Sequence, residues 1–202
     1  MTPVIEVTNR GLRAFPVWAV YLLGLLPVPV LLAQGMTGAL GVEPIKALEH
    51  ALGELALQLM VAILAVTPLR RLLGVNLLRF RRALGILAFV YVMLHLLVWL
   101  VLDVQILSQI WADIVKRPYI TIGMVAFVLM IPLALTSNNA SVRWLGARWR
   151  QLHKMTYAIG LLGAVHFLLL TKGFQLEPLV YLTLILGLLA LRLPPANRLR
   201  LA

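Results

Sequence analysis

Six long apolar stretches dominate this chain of 202 residues. Each is close to the roughly 20 residues that an α-helix needs to cross the hydrocarbon core of a bilayer. The apolar runs are continuous rather than alternating, which favours helices over the strands of a β-barrel. We therefore predict an all-α integral membrane protein, a bundle of six transmembrane helices forming one domain over residues 1–202. The predicted spans are residues 14–34, 51–69, 83–102, 118–137, 154–171 and 177–193.

Composition narrows the class of protein further. Hydrophobic residues make up 62% of the chain and charged residues 12%, whereas soluble domains have about 45–50% and about 25%. The net charge of +11 would suggest nucleic acid as the partner of a soluble protein. Here the basic residues lie between apolar spans, so we expect a lipid bilayer and no nucleic acid. The chain has no cysteine, which excludes disulfides, iron–sulfur clusters and thiolate zinc sites.

The basic residues are divided unequally between the two sides of the predicted bundle. One side carries only Lys46, Lys116, Arg117 and Lys172. Basic residues concentrate in cytoplasmic loops of membrane proteins, so the richer side, with both termini, is predicted to be cytoplasmic. The richer side has fourteen of the 18 basic residues: Arg10, Arg13, Arg70, Arg71, Arg79, Arg81, Arg82, Arg143, Arg148, Arg150, Lys154, Arg192, Arg198 and Arg200.

Prolines and one loop predict departures from straight spans. Pro16, Pro27 and Pro29 lie in the first span, which is therefore predicted to be kinked, as membrane helices tolerate when neighbours satisfy the freed backbone groups. The loop 104–117 has two interpretations. It is either a short helix along the outer surface before Pro118 or a plain connector.

Two histidines lie deep within predicted spans. His95 and His166 are each twelve residues beyond the cytoplasmic start of their span, at Ala83 and Lys154, so both are roughly 18 Å deep. An ionisable group at that depth is a functional-site hypothesis by default. Two level imidazoles on separate helices can supply the two axial ligands of a haem iron enclosed by the bundle. The alternative is that each ring only forms a hydrogen bond with a neighbouring helix.

The other two histidines are weaker metal-ligand candidates. His153 is thirteen residues before His166, about 20 Å along the axis, where a second haem could lie. The equivalent positions before His95 hold Arg82 and Arg81, so such a haem would have His153 and another ligand or none. His153 is otherwise an interfacial residue among basic neighbours. His50, at the outer mouth of the second span, could ligate a haem or orient a propionate, or it could be exposed or capping.

Several short motifs in a fixed order give the chain a family resemblance. The chain resembles the haem-binding membrane subunits of bacterial methionine sulfoxide reductase systems, within the ferric reductase-like transmembrane group. The resemblance covers nearly the whole length. The residues that carry it are Gly41-Val-Glu-Pro44, Leu48-Glu-His50, Thr67-Pro-Leu-Arg70, Arg81-Arg-Ala-Leu-Gly85, His95, Arg117-Pro-Tyr-Ile-Thr-Ile-Gly123, Leu133-Ala-Leu-Thr-Ser137, Leu145-Gly-Ala-Arg-Trp-Arg-Gln-Leu-His153, Tyr157 and His166.

The resemblance implies a function in electron transfer. Proteins of this kind carry haem b, one or two per chain, and FMN. They reside in the bacterial inner membrane and take electrons from the quinone pool or from a cytoplasmic flavin reductase. Such proteins deliver the electrons to a periplasmic molybdopterin-containing methionine sulfoxide reductase, which repairs oxidised periplasmic proteins. No substrate chemistry of the chain itself is evident. The competing interpretations are a small transporter or channel with a histidine proton relay, and a structural assembly subunit.

A cluster of basic residues is predicted at the cytoplasmic face. If the third and fifth spans are neighbours, Arg81, Arg82, Arg148, Arg150 and His153 all lie near the headgroups. Arginine suits bidentate contacts with anions, so the cluster is predicted to bind haem propionates, an FMN phosphate or lipid phosphate. The alternative is that these arginines only follow the charge asymmetry of membrane proteins.

Overall fold

The computed structural model describes residues 3–171 and 173–192, which form helices joined by short turns, with no strand in these ranges. Lys172, Arg198, Arg200 and the last residue of the sixth predicted span lie outside the described residues. The α-helices of the described ranges are α1 (Pro3–Ala14), α2 (Val17–Leu25), α3 (Pro27–Met36), α4 (Pro44–Pro68), α5 (Arg81–Leu97), α6 (Leu107–Lys116), α7 (Pro118–Leu135), α8 (Asn139–Leu145), α9 (Ala147–Leu152), α10 (Met155–Leu170) and α11 (Leu176–Ala190).

Several helical segments are long and apolar enough to cross a membrane, which makes the chain a multi-pass membrane protein. The described residues contain five such segments: Val17–Met36, Pro44–Leu73, Leu78–Val104, Pro118–Leu135 and Ala147–Leu170. Where the sequence predicts a sixth span, the structure has α11, which is apolar but only 15 residues long. At about 1.5 Å per residue, that helix is roughly 22 Å long, shorter than the about 30 Å hydrocarbon core.

The second span starts earlier than predicted, whereas the fifth lies where it was predicted. The second begins at Pro44 rather than at residue 51, because Pro44 occupies the first turn, where proline starts a helix without losing a bond. Because that turn contains polar residues, hydropathy alone predicts a loop there. The predicted fifth span, residues 154–171, forms the undivided helix α10 (Met155–Leu170), and the short helix α9 ends before it, at Leu152.

The amino-terminal third contains one helix that hydropathy does not predict. This helix, α1, is held to the turn after α4 by Asn9, whose side chain donates to the carbonyl of Gly74 and accepts from the backbone N–H of Asn76. The predicted kink of the first span is present as a break between α2 and α3 at Leu26, immediately before Pro27.

The loop 104–117 contains a short helix, so the simpler interpretation of this segment as a plain connector is wrong. The helix, α6, ends at Lys116, and its carboxyl end leads directly into Pro118 at the start of α7. The apolar side chains of Leu107, Trp111 and Val115 are exposed at helical spacing along one of its faces.

Helix α4 is central to the bundle and packs against α3, α5, α10 and α11, while α7 packs against α5 and α10. The tightest pairs are α4 with α5 and α7 with α10. We call the end of the bundle that carries Lys46, His50 and Arg117 the mouth end. The opposite end, which carries Arg81 and His153, is called the arginine end.

Candidate functional site

The two deep histidines are each held by a backbone carbonyl of the neighbouring helix. His95, on α5, has Nδ1 at 2.8 Å from the carbonyl oxygen of Glu49 on α4. His166, on α10, has Nδ1 at 2.7 Å from the carbonyl oxygen of Tyr119 on α7. A carbonyl can only accept, so Nδ1 carries the hydrogen in each neutral ring. The lone pair on Nε2 is therefore left for a ligand, which is how metal-binding histidines are usually oriented.

Each imidazole lies against a glycine one turn beyond the carbonyl that it contacts. A Cβ built on Gly53 would be 3.1 Å from Nδ1 of His95, and a Cβ built on Gly123 would be 2.9 Å from Nδ1 of His166. Ordinary Cβ contacts are longer than about 3.4 Å. Glycine at these two positions therefore allows the rings to approach the helix backbone and reach its carbonyl oxygens.

The two rings lie close together although they are on different helices. Their centroids are 6.2 Å apart and their planes are inclined at 83°. A metal with imidazole nitrogens about 2.0 Å away on two opposite sides places the ring centroids roughly 6 Å apart. The separation of His95 and His166 therefore fits a single metal ion bound between them. This separation would also suit two imidazole ligands of one haem iron.

The rings line a cavity of about 290 Å³ between the α4–α5 and α7–α10 pairs. Such a volume is near the lower end of small-molecule pockets, about 300 Å³. Towards the arginine end the lining is apolar, with Met60, Met130 and Ile159. Towards the mouth end it is polar. The polar and charged lining residues there are Lys46, Glu49, His50, Glu54, Asp103 and Arg117.

His50 lies at the rim of this cavity rather than between the two rings. Its side chain is exposed on α4. A second hollow beside the rim is lined by His50 together with Glu54 and Glu177. Among the residues described, no group of three or more histidine, aspartate or glutamate side chains could hold a metal ion.

His153 is at the arginine end and does not line the cavity. Its Nε2 is 3.1 Å from the hydroxyl oxygen of Thr136, and its ring stacks on Trp149 with centroids 3.9 Å apart. The nitrogen that would bind a metal thus already has a partner. Between His153 and the cavity, the bundle is filled by a buried cluster that includes Met60, Met130 and Ile159.

The structure brings together part of the predicted basic cluster. Arg81 and Arg82 lie close enough to His153 to interact with it electrostatically, and Arg82 donates to the side chain of Asn139 at 2.8 Å. Arg148 and Arg150 are exposed on α9, the helix that ends immediately before His153.

Sequence reasoning missed one arginine in this region. Arg192 donates to the carbonyls of Ile63 and Leu64 and to the hydroxyl of Tyr157. Proline has no N–H, so Pro68 leaves the carbonyl of Leu64 without its helical partner, and Arg192 supplies the missing donor. The proline near the end of α4 was the only signal in the sequence for this contact.

Sequence reasoning also missed Gly53 and Gly123. Glycine is an unfavourable helix residue, about 1 kcal/mol worse than alanine. A glycine in the interior of an apolar span was therefore a signal for close packing, but it did not identify an imidazole as the neighbour.

Comparisons with known proteins place the chain in a family. The family described as "Ferric reductase like transmembrane component" matches residues 52–164. A protein of Rhizobium meliloti (strain 1021) is 51% identical over 191 residues, covering 91% of this chain and 88% of the relative. Proteins of Brucella ovis and Brucella suis are 48% identical over 177 residues, covering 87% of this chain and 80% of each relative. Each of the three is named "Protein-methionine-sulfoxide reductase heme-binding subunit MsrQ".

No solved structure matches the chain. The sequence relatives, however, cover most of its length at close to half identity, and the ferric reductase-like match covers most of α4, all of α5 and α7, and part of α10. The chain therefore belongs to the MsrQ family, within the ferric reductase-like transmembrane components.

Proposed function

We propose that this protein is the haem-binding membrane subunit of a methionine sulfoxide reductase system and that His95 and His166 ligate one haem b. The observation that carries the proposal is the 6.2 Å separation of the two rings inside one cavity. The names of its relatives support the same cofactor. A haem bound here supplies a one-electron carrier within the membrane.

The protein's own part in this function is to hold the ligand set in place. The carbonyls of Glu49 and Tyr119 fix the tautomer and orientation of the two imidazoles. The apolar part of the cavity excludes water from the metal. Both features favour electron transfer without a large rearrangement of the site, and neither provides acid–base or nucleophilic chemistry.

We further propose that all six predicted spans cross a bacterial inner membrane as one domain, with both termini in the cytoplasm. The arginine end is then cytoplasmic and the mouth end periplasmic, in agreement with the excess of basic residues at the arginine end. For α11 to cross, its apolar run must be completed by residues beyond Ala190 or by local thinning of the bilayer.

Electrons then pass from the arginine end to the mouth end. The donor is the quinone pool or a cytoplasmic flavin reductase, and the acceptor is a periplasmic molybdopterin-containing methionine sulfoxide reductase. The basic residues Arg81, Arg82, Arg148 and Arg150, with His153, are proposed as the place where the phosphate of FMN or of a lipid binds, because guanidinium groups bind phosphate well.

The first haem is better supported than a second one at His153. A second haem would require His153 to give up the contact of its Nε2 with Thr136 and its stacking on Trp149. A proton relay is also poorly supported, because the part of the cavity that leads towards the arginine end is lined by methionine and isoleucine rather than by titratable groups.

The test is the optical spectrum and haem content of the purified protein in detergent. The wild type should show a Soret band and the spectrum of a low-spin, six-coordinate haem. His95→Ala or His166→Ala removes one axial ligand, and we expect at least a tenfold weaker retention of haem or a high-spin spectrum. His50→Ala is the matched control, since His50 lines the same cavity but is exposed at its rim.

The competing functions give different results in this experiment. A colourless wild-type protein would support a channel or an assembly subunit and would refute the haem site. A double variant of His95 and His166 that keeps the wild-type haem content and low-spin spectrum would refute the ligand assignment.

A further inference from the structure

Two cationic side chains stand at the mouth of the cavity, and the proposed haem ligation gives neither of them a role. They are Lys46, in the first turn of α4, and Arg117, immediately before α7. Both line the cavity that contains His95 and His166. No other lysine or arginine of the described residues lines it.

The two cations lie at the amino-terminal ends of α4 and α7, the helices whose backbone carbonyls contact the histidines. Lys46 is three residues before Glu49, whose carbonyl contacts His95. Arg117 is two residues before Tyr119, whose carbonyl contacts His166. The backbone of each cationic residue is therefore within roughly 5 Å, along the helix axis, of the carbonyl that contacts a histidine ring.

Both cations are held at the rim by neighbouring carboxylates. Nζ of Lys46 is 2.6 Å from Glu43, and Nε of Arg117 is 3.1 Å from Asp113. Asp103, which also lines the cavity, is near enough to both cations to interact with them. About half of each cationic side chain remains exposed, so each keeps donors available for another anion.

The ligand proposed for this cavity is an apolar disc with two carboxylates on one edge. Burying an ionised carboxylate without a partner is very costly. Among the described residues that line the cavity, cations are found only at the mouth end. Arg81 is fourteen residues from His95 on the same helix, roughly 21 Å along its axis, so the arginine end is too distant to receive carboxylates of a haem centred on His95.

We propose that Lys46 and Arg117 bind the two propionates of the haem, so that its carboxylate edge faces the mouth end. This assignment depends on the proposed haem site at His95 and His166. It gives the haem one orientation in the cavity, with the apolar edge of the macrocycle directed towards Met60, Met130 and Ile159.

The test compares protohaem with its dimethyl ester, which has no propionate charge. Each is titrated into haem-free protein in detergent, and binding is followed by the Soret band. The wild type should bind protohaem roughly tenfold more tightly than the ester, as expected for two half-exposed ion pairs. In the variant with both Lys46→Gln and Arg117→Gln, the two affinities should become equal. Lys116→Gln is the matched control, since Lys116 precedes Arg117 but does not line the cavity, and it should keep the wild-type ratio.

Three results would overturn the assignment. The first is a wild type that binds both compounds equally, and the second is a double variant that keeps the wild-type ratio. If the double variant binds neither compound, the single variants decide, because each should give a ratio between the wild-type value and one. Two single variants with the wild-type ratio are the third contrary result. A wild type without a low-spin spectrum would instead refute the haem site itself, and this assignment with it.

Discussion

The two ends of the bundle use histidine in opposite ways. At the mouth end, His95 and His166 are bonded through Nδ1 to backbone carbonyls and line an open cavity. At the arginine end, His153 is bonded through Nε2 to Thr136 and stacks on Trp149. Beside His153 the interior is closed by packed side chains.

The comparison separates two histidines whose Nε2 is free for a ligand from one whose Nε2 is already hydrogen-bonded. In His95 and His166, Nδ1–H donates to a backbone carbonyl, and Nε2 is left without a hydrogen bond to any described residue, in a ring that lines the cavity. In His153, Nε2 instead forms a hydrogen bond with the side chain of Thr136. Depth in the membrane does not show which ring nitrogen remains available, because the neighbours of each ring decide that.

The largest effect is expected when a methyl group is added beneath the imidazole ring of His166. In Gly123→Ala, the new Cβ would be 2.9 Å from Nδ1 of His166, so the ring must move and its bond to Tyr119 must lengthen. Because replacing residues that orient a metal ligand typically weakens metal binding about 10–100-fold, we expect haem retention to fall by that factor. The measurement is the haem-to-protein ratio of the purified variant, together with its low-spin band.

The other glycines of the bundle provide the controls. Gly53→Ala should have the same effect at His95 but a smaller one, since its Cβ would be 3.1 Å from Nδ1. Gly85→Ala should leave haem retention unchanged, because a Cβ there would meet nothing within 4 Å. If Gly123→Ala retained haem as well as Gly85→Ala, the close contact would not constrain the ring.

An intermediate effect, on stability rather than on the haem, is expected at the arginine end. Arg192→Met keeps the apolar stem but removes the donors to the carbonyls of Ile63 and Leu64. We expect the free energy of unfolding to fall by about 1–2 kcal/mol. The loss is limited because the buried Nε of Arg192 has no hydrogen-bond partner among the described residues and is removed at the same time.

The measurement is unfolding in detergent, followed by circular dichroism, with the Soret spectrum recorded before unfolding. Arg71→Met is the control, because Arg71 is exposed and its contact with the carbonyl of Leu191 is long, at 3.4 Å. A loss of haem in Arg192→Met at wild-type stability would contradict a purely structural role at this end.

The smallest effect is expected for His153→Ala. Removing one hydrogen bond to Thr136 should cost about 1 kcal/mol of stability and leave the spectrum of the His95–His166 haem unchanged. Reduction by the cytoplasmic donor should become slower if electrons enter beside this ring. Stopped-flow reduction of the purified protein tests this expectation, with Thr136→Val as a control that keeps the ring but removes its partner.

Wild-type reduction kinetics in His153→Ala, with every cofactor still bound, would make His153 an ordinary interfacial residue. A variant that loses the low-spin haem spectrum would be a stronger contradiction. In that case, the difference between the two ends of the bundle would not hold.

The class of the protein and its candidate ligand residues follow from the sequence alone. Long apolar runs require helices in a membrane, because only helices and closed barrels satisfy every backbone group there. The same runs made His95 and His166 conspicuous, since an ionisable residue is costly at that depth. The prolines predicted a kink in the first span and the start of the fourth span at Pro118, because proline fixes a local backbone angle.

The contacts that those residues make depend on how the helices pack. Hydropathy is a local property, whereas the partners of a ring depend on how each helix is rotated about its axis and on which helices pack together. The sequence therefore did not reveal that Gly53 and Gly123 lie beneath the two imidazoles, or that Arg192 serves the carbonyl freed by Pro68. Each of these contacts joins residues more than forty positions apart, and only packing of the helices brings them within bonding distance.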